Sequence, residues 1–297
     1  MKPRVKGGRR LWTTDEKLPA VTDYRVHARN AAAMWEALSK GYGALLVDSA
    51  EVRIVAPSPY HALRAIVLDP RMNRDATVTA IRDTVLVESG LARRVVEDAS
   101  GEFDLSGYGL EPRFRMTVMS RLPGPLPGPV PLPAPSGNGV RVATAGDTET
   151  LAAAERILVS VFPPPRATSG PAAGDDLRGR IQPVRVLGIA GWQVWLGYRD
   201  GVPAAAAYTF HDGASLGVYQ LGTLPEHRGH GVARTVMIAI LRAYPDDVVT
   251  LTATDQGRPL YDSLGFDAVS KAVWWRPHER AGERANHKED DRGEGLR

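Results

Sequence analysis

Residues 122–135 read Leu-Pro-Gly-Pro-Leu-Pro-Gly-Pro-Val-Pro-Leu-Pro-Ala-Pro. Proline fixes φ and carries no backbone N–H, so neither a helix nor the interior of a sheet can run through this stretch. Polyproline II is the conformation that remains, and at roughly 3 Å per residue it spans about 40 Å. Ser136-Gly137-Asn138-Gly139 follows as a flexible joint. The chain is thereby divided, and 297 residues are enough for two cores. The alternative is a proline-rich loop folded onto a single domain. The expected organisation is a disordered basic leader (1–15), a first domain (16–121), a linker (122–139), a second domain (140–277) and a disordered charged tail (278–297).

The same order of parts occurs on both sides of the divide. Ala65–Asp69 is an apolar strand stopped by Pro70, and it precedes a helical pattern over Ala76–Ser89. A strand at Arg94–Glu97, the segment Tyr108-Gly109-Leu110 and a strand at Arg115–Arg121 follow. In the second half, Leu216–Thr223 leads to Pro225, then to a helical pattern over Val232–Tyr244 and a strand at Val248–Thr254. A short helix near Pro259, Gly265 and a strand at Ala268–Trp275 complete the series. Pro70 and Pro225 lie 155 positions apart, and Gly109 and Gly265 lie 156 apart. Near-equal offsets indicate an internal duplication, against an unrelated α/β domain as the alternative. The second half opens with a strand at Val140–Ala145. Asp147 or Thr148 then caps a helix ending near Val161, and two hairpins turn at Asp200-Gly201 and Asp212-Gly213.

Residues 221–233, Leu-Gly-Thr-Leu-Pro-Glu-His-Arg-Gly-His-Gly-Val-Ala, carry the chemistry. They run from a strand through a two-glycine turn into an amphipathic helix. Such a turn presents backbone N–H groups to an anion, and the helix adds the positive end of its dipole. Gly229 and Gly231 remove side chains where a phosphate must approach. A phosphate or pyrophosphate at the helix start is the expected ligand. In the first half, Arg71-Met72-Asn73-Arg74-Asp75-Ala76 stands in place of the glycine turn, and no such cradle is expected there.

Arg228-Gly229-His230-Gly231-Val232-Ala233 matches the Arg/Gln-x-x-Gly-x-Gly/Ala signature of the GCN5-related N-acetyltransferases. Leu260-Tyr261-Asp262-Ser263-Leu264-Gly265-Phe266 resembles that family's second hallmark, a short helix ending in Gly-Phe. Two motifs in order and at the right distance are specific where a glycine motif alone is weak. The resemblance implies an α/β (α+β) fold class with two acetyltransferase-like domains, each a mixed, mostly antiparallel twisted sheet flanked by helices. The first domain would be a degenerate copy without cofactor. The tandem arrangement is similar to that of mycothiol synthases, with no motif that fixes their substrate.

The resemblance further implies acetyl transfer from acetyl-CoA to a primary amine of a small molecule, peptide or protein by direct attack. Backbone N–H groups of Arg228, Gly229, His230, Gly231, Val232 and Ala233 would hold the pyrophosphate. A backbone N–H at Leu221, Gly222 or Thr223 would polarise the thioester carbonyl. Tyr261 matches the family's general-acid tyrosine, with a packing role beside Phe266 as the alternative. Asp255 stands where many members carry asparagine, and it either orders the pantetheine or caps the short helix. The base is not fixed. Tyr219 and Gln220 lie on the strand beside the expected site, and strand alternation turns one of them toward it. Arg258 either meets a phosphate of the cofactor or is exposed. Against this enzyme stand a non-catalytic acyl-CoA-binding regulatory module and an interaction protein without cofactor.

Composition narrows the classes. With no cysteine there is no disulfide, thiolate metal site or cysteine nucleophile, which fits a cytoplasmic setting. No apolar run approaches spanning length, so no membrane partner is expected, and the basic start lacks the apolar stretch of a signal peptide. The net charge is +3, but residues 1–10 carry +5, which leaves the remaining chain at −2. A nucleic-acid binder needs its basic face on the folded part, so nucleic acid is not an expected partner. A homodimer is allowed. His227 and His230 lack a third ligand at convincing spacing, and no metal is expected. Gly213-Ala214-Ser215-Leu216-Gly217 spells a nucleophile elbow, yet a turn precedes it and a strand follows, the wrong context for that motif.

Overall fold

The computed structural model describes residues 23–40, 43–58, 60–87, 93–127, 139–163, 179, 181 and 183–278. The expected leader, most of the tail, residues 128–138 of the linker and residues 164–178 lie outside the described residues. The first half contains α1 (Tyr24–Ser39), β1 (Ala44–Asp48), β2 (Val52–Ala56), β3 (Leu63–Val67), α2 (Arg74–Ile81), β4 (Arg94–Asp98) and β5 (Leu110–Arg121). The second contains β6 (Val140–Thr144), α3 (Thr148–Val161), β7 (Trp192–Arg199), β8 (Val202–His211), β9 (Ser215–Thr223), α4 (Val232–Ala243), β10 (Val248–Ala253), α5 (Arg258–Asp262) and β11 (Asp267–Pro277).

Local chemistry accounts for most of these boundaries. Asp147 accepts from Thr150 N at 2.8 Å and closes a capping box at the start of α3. Asp200 and Gly201 sit at φ 52° and 82°, the left-handed pair that a two-residue hairpin between β7 and β8 demands. Val232, Val236, Met237, Ile240 and Leu241 form the buried face of α4, as the 3.6-residue spacing predicts. Gly197 of β7 lets that face approach, because a Cβ there would come within 2.8 Å of both Val232 and Val236.

Among the described residues the eleven strands form one sheet in the order β1-β2-β3-β4-β11-β5-β10-β9-β8-β7-β6. Only β3 with β4 and β9 with β10 run parallel, and every other neighbouring pair is antiparallel. The order departs from what the sequence suggests for the last strand. Ala268–Trp275 was expected to finish the second domain's own sheet. Instead β11 pairs with β4 and β5 of the first half, while β5 of the first half pairs with β10 of the second. The two halves have exchanged their final strands. Periodicity fixes which face of a strand is buried but not which strand lies beside it.

Both faces are covered. Helices α1 and α3 cover one face over Val55, Ile66, Val118, Leu196, Tyr208 and Ala272. On the other face, α4 and α5 cover Ala205, Ala207, Leu216, Val249 and Leu251. There α2 covers Ile54, Leu63, Ala65, Val96 and Trp275. Helix α1 was not foreseen, and it belongs to neither half alone. It packs on β2 and β3 and also on β8, β9 and β10. Its Asn30 side chain is fully buried and donates to the carbonyls of Phe210 and Ser215 at 3.2 and 3.0 Å. The start of the proline run is not a free spacer either. Arg121 donates to the carbonyls of Gly124, Pro125 and Leu264, and Leu126 packs on the core beneath α4.

Candidate functional site

The site grows from a fault in the sheet. Strands β9 and β10 pair in parallel only at Ser215–Val248, Leu216–Val249 and Gly217–Thr250. Beyond Gly217, β9 continues on β8 to Thr223, and beyond Thr250, β10 continues on β5 to Ala253. The strands part, and backbone groups along their facing edges lose their ladder partners. A wedge of that kind suits an extended ligand that carries amides of its own.

A β-bulge sits in the parted segment of β9. Tyr208 pairs with Tyr219 and Ala206 with Gly222, so Gln220 and Leu221 oppose the single residue Ala207. Gln220 takes φ 51°, uncommon for a residue with a side chain. A bulge re-aims the backbone groups that follow it, here those of Leu221, Gly222 and Thr223. The Thr223 hydroxyl is buried there without a hydrogen-bond partner.

After β9 the chain passes through a short 3₁₀ turn at Pro225–His227 and reaches the two glycines. Gly229 and Gly231 lie at φ 75° and 76°, and a Cβ built on either meets nothing within 4 Å. Their open surroundings leave room for a ligand, and both occupy the left-handed region that favours glycine. Gly231 stands at the N-cap of α4, where no side chain caps the helix, and the first turn carries no acid. The positive end of α4 is thus presented uncompensated. Val232 is buried beneath the turn and Ala233 half-buried, while His230 is exposed with Nδ1 2.7 Å from the Arg228 carbonyl. Arg228 is exposed and bends back so that Nε donates to the Thr223 carbonyl at 3.2 Å.

The corresponding place in the first half is closed. Strands β3 and β4 pair along their whole length, from Leu63–Arg94 to Val67–Asp98. Asn73 caps α2 by accepting from Ala76 N at 3.1 Å, and Asp75 stands in the first turn. Arg71 is held by Glu102. The helix start is satisfied by its own side chains, and there is no wedge beside it.

Tyr261 is 8% exposed on α5 and meets Phe266 edge to face at 5.8 Å. Burial pushes its phenol up to about 12, so it keeps its proton across the neutral range. Both the packing contact and the protonated phenol are therefore present. Asp255 is exposed, and it does not cap α5. Gly257 N turns instead to the Thr254 carbonyl and hydroxyl at 3.0 and 3.2 Å. Arg258 pairs with Asp262 at 3.5 Å.

Tyr219 lies on β9 and faces α1. Its hydroxyl donates to Asn30 Oδ1 at 2.6 Å, and its ring stacks on Tyr208 at 5.4 Å. Desolvation, with smaller contributions from Tyr208 and Glu97, raises its pKa well above the ordinary value. A phenol so held is a poor base. Through Asn30 the Tyr219 hydroxyl ties β9 to α1. Residues of the first half that approach this region had no signal in the motifs. Chief among them is His27 of α1, whose ring lies 6.4 Å from that of Tyr219.

No protein-family model matches the sequence, and no curated protein matches it. Solved structures do. A GCN5-related N-acetyltransferase from Kribbella flavida is similar over 89% of this chain and 97% of its own, with a TM-score of 0.60 and 22% identity. A protein described as an acetyltransferase from the GNAT family, from Novosphingobium aromaticivorans DSM 12444, is similar over 86% of this chain and 100% of its own. Its TM-score is 0.51 and its identity 18%. A functionally unknown conserved protein from Staphylococcus epidermidis ATCC 12228 is similar over 80% of this chain and 95% of its own, with a TM-score of 0.51 and 9% identity. The chain has the GCN5-related N-acetyltransferase fold along nearly its whole described length.

Proposed function

We infer that the chain is an acetyl-CoA-dependent N-acetyltransferase with one acyl-CoA site, built on β9, the glycine turn and α4. The observation that carries this reading is the contrast between the halves. In the second half the sheet parts beside an uncapped helix start. In the first half the equivalent strands stay zipped and the helix is capped.

The residues present fit the ligand. The turn from Arg228 to Ala233 offers a glycine-lined, acid-free helix start to a pyrophosphate. The parted edges of β9 and β10 suit a pantetheine arm, and the re-aimed N–H groups after Gln220 suit the thioester carbonyl. In the reaction the neutral amine nitrogen bonds the acyl carbon, the C–S bond breaks, the proton lost by the nitrogen passes to solvent and the thiolate takes one up. Tyr261 would donate a proton to the departing thiolate, and its burial keeps the phenol protonated beforehand.

The test is thiol release from acetyl-CoA with a panel of primary amines, beside calorimetric binding of acetyl-CoA. The enzyme reading predicts turnover with at least one amine. It also predicts a loss of about 10²-fold or more in kcat for Tyr261→Phe, with acetyl-CoA affinity kept within about twofold. Binding without turnover for every amine would establish the regulatory acyl-CoA-binding module instead.

A further inference from the structure

Arg121, the last residue of β5, is 5% exposed, and among the described residues no carboxylate pairs with it. Its guanidinium instead collects four carbonyl oxygens. Nε donates to Leu264 at 3.0 Å and Nη1 to Leu122 at 3.0 Å. Nη2 donates to Gly124 at 2.7 Å and to Pro125 at 2.9 Å. A buried charge without a counter-ion is costly, and here four carbonyl dipoles offset that cost. The planar fork lets one side chain reach two segments at once. One segment is the start of the proline run, and the other is the turn that ends α5.

Helix α5 has five residues, too few to be stable by itself. Its end is fixed from outside. The Tyr261 carbonyl accepts from Leu264 N at 2.9 Å and from Phe266 N at 3.1 Å. The Leu264 carbonyl in turn accepts from Arg121. Two hydrogen bonds therefore separate the guanidinium from the Tyr261 backbone. Gly265 takes φ 80°, and a Cβ there would lie 3.1 Å from Pro127 Cγ, so the linker packs directly on this turn. Arg234 of α4 adds a hydrogen bond to Ser263 Oγ at 2.6 Å. The turn that follows Tyr261 is thus tied to α4 by one arginine and to β5 and the linker by another.

We propose that Arg121 is a positioning residue for the proton donor: by clasping the Leu264 carbonyl to those of the linker, it holds α5 where the Tyr261 phenol reaches the departing thiolate. The proposal rests on the acetyltransferase reading above. It adds a residue of the first half, and the start of the proline run, to the geometry of the reaction. Proton transfer is sensitive to placement, and a shift of about 1 Å can cost about 10²-fold in rate. Arg121 acts on the rate through Tyr261 and through nothing else at the site. A lysine in its place keeps the charge but presents a single ammonium where the fork spanned two segments.

The test is a double-mutant cycle on kcat in the full chain, with Arg121→Lys and Tyr261→Phe made singly and together. Arg121→Lys should lower kcat about tenfold when Tyr261 is present and less than about twofold when it is Phe. The KM for acetyl-CoA should stay within about twofold throughout. An equal loss in both backgrounds is what a merely structural role gives, and it overturns the proposal. So does an unchanged kcat in Arg121→Lys alone. NMR of ring-labelled tyrosine supplies a readout without turnover. The Tyr261 resonance, identified by its loss in Tyr261→Phe, should move in Arg121→Lys, and an unmoved resonance contradicts the clasp. If Arg121→Lys does not fold, Leu126→Ala decides by the same cycle, since it loosens the linker from the core and leaves Arg121 in place. A wild type without turnover, or an unchanged kcat in Tyr261→Phe, would sink the reading of the site and overturn the proposal with it, a result distinct from a failed cycle.

Discussion

At the scale of single residues, two titratable groups are set by burial rather than by charge partners, and both remain in their neutral forms. Tyr261 keeps its proton and His27 does without one. The consequence for stability differs in sign from that of a salt-bridged histidine. An unfolded His27 binds a proton near 6.5, whereas the folded one resists until about 4. Between those values the unfolded chain binds more protons, so stability falls as pH falls through this window and is fully present above it. The upper bound is about 3 kcal/mol at 1.36 kcal/mol per pKa unit. Urea unfolding at pH 7 and pH 4.5 should show a smaller acid loss for His27→Gln than for wild type. Equal losses would mean that His27 is not charge-excluded. The glycines at 229 and 231 were legible from sequence because their chemistry is local. Gln220 was not, since nothing in its side chain announces φ 51°.

At the scale of elements, the second half was readable because each of its helices and strands carries its own signal. Asp147 caps α3, Asp200-Gly201 turns a hairpin, and Val232, Val236 and Ile240 repeat at helical spacing. Helix α1 was missed although it too carries a pattern. Its buried face carries Tyr24, Ala28, Ala31, Trp35 and Leu38 at helical spacing, a stripe the sequence analysis passed over, with the polar His27 and Asn30 set among them. Those polar residues are where the halves meet. Asn30 satisfies two carbonyls of the second half and accepts from Tyr219. Removing it leaves buried groups unpaired, each costing about 1–3 kcal/mol. Asn30→Ala should therefore lower the unfolding free energy by about 3 kcal/mol in equilibrium denaturation. A loss below about 0.5 kcal/mol would show that water replaces the side chain and that α1 is not anchored through it.

At the scale of the whole molecule, the offsets of Pro70 from Pro225 and Gly109 from Gly265 suggest two self-contained sheets, and the strands form one. Strands β5 and β11 each complete the other half, and that pairing is non-local information no window of sequence contains. A fragment of residues 139–297 lacks the neighbour of β10, leaving Val249 and Leu251 beside an open edge. It should be unfolded or aggregated alone and regain native circular dichroism when mixed with residues 1–127. A stably folded, monomeric 139–297 fragment would contradict the exchange.

Strands β4 and β5 of the first half are structural parts of the sheet that β10 and β11 complete. The central claim is that a single acyl-CoA site remains, at the uncapped start of α4. Calorimetric titration of acetyl-CoA into the intact chain tests it most directly, alongside the Gly229→Glu, Gly231→Glu double variant. The account predicts one molecule bound per chain and no measurable binding in the variant. Two molecules per chain, or binding that survives the double substitution, would contradict it.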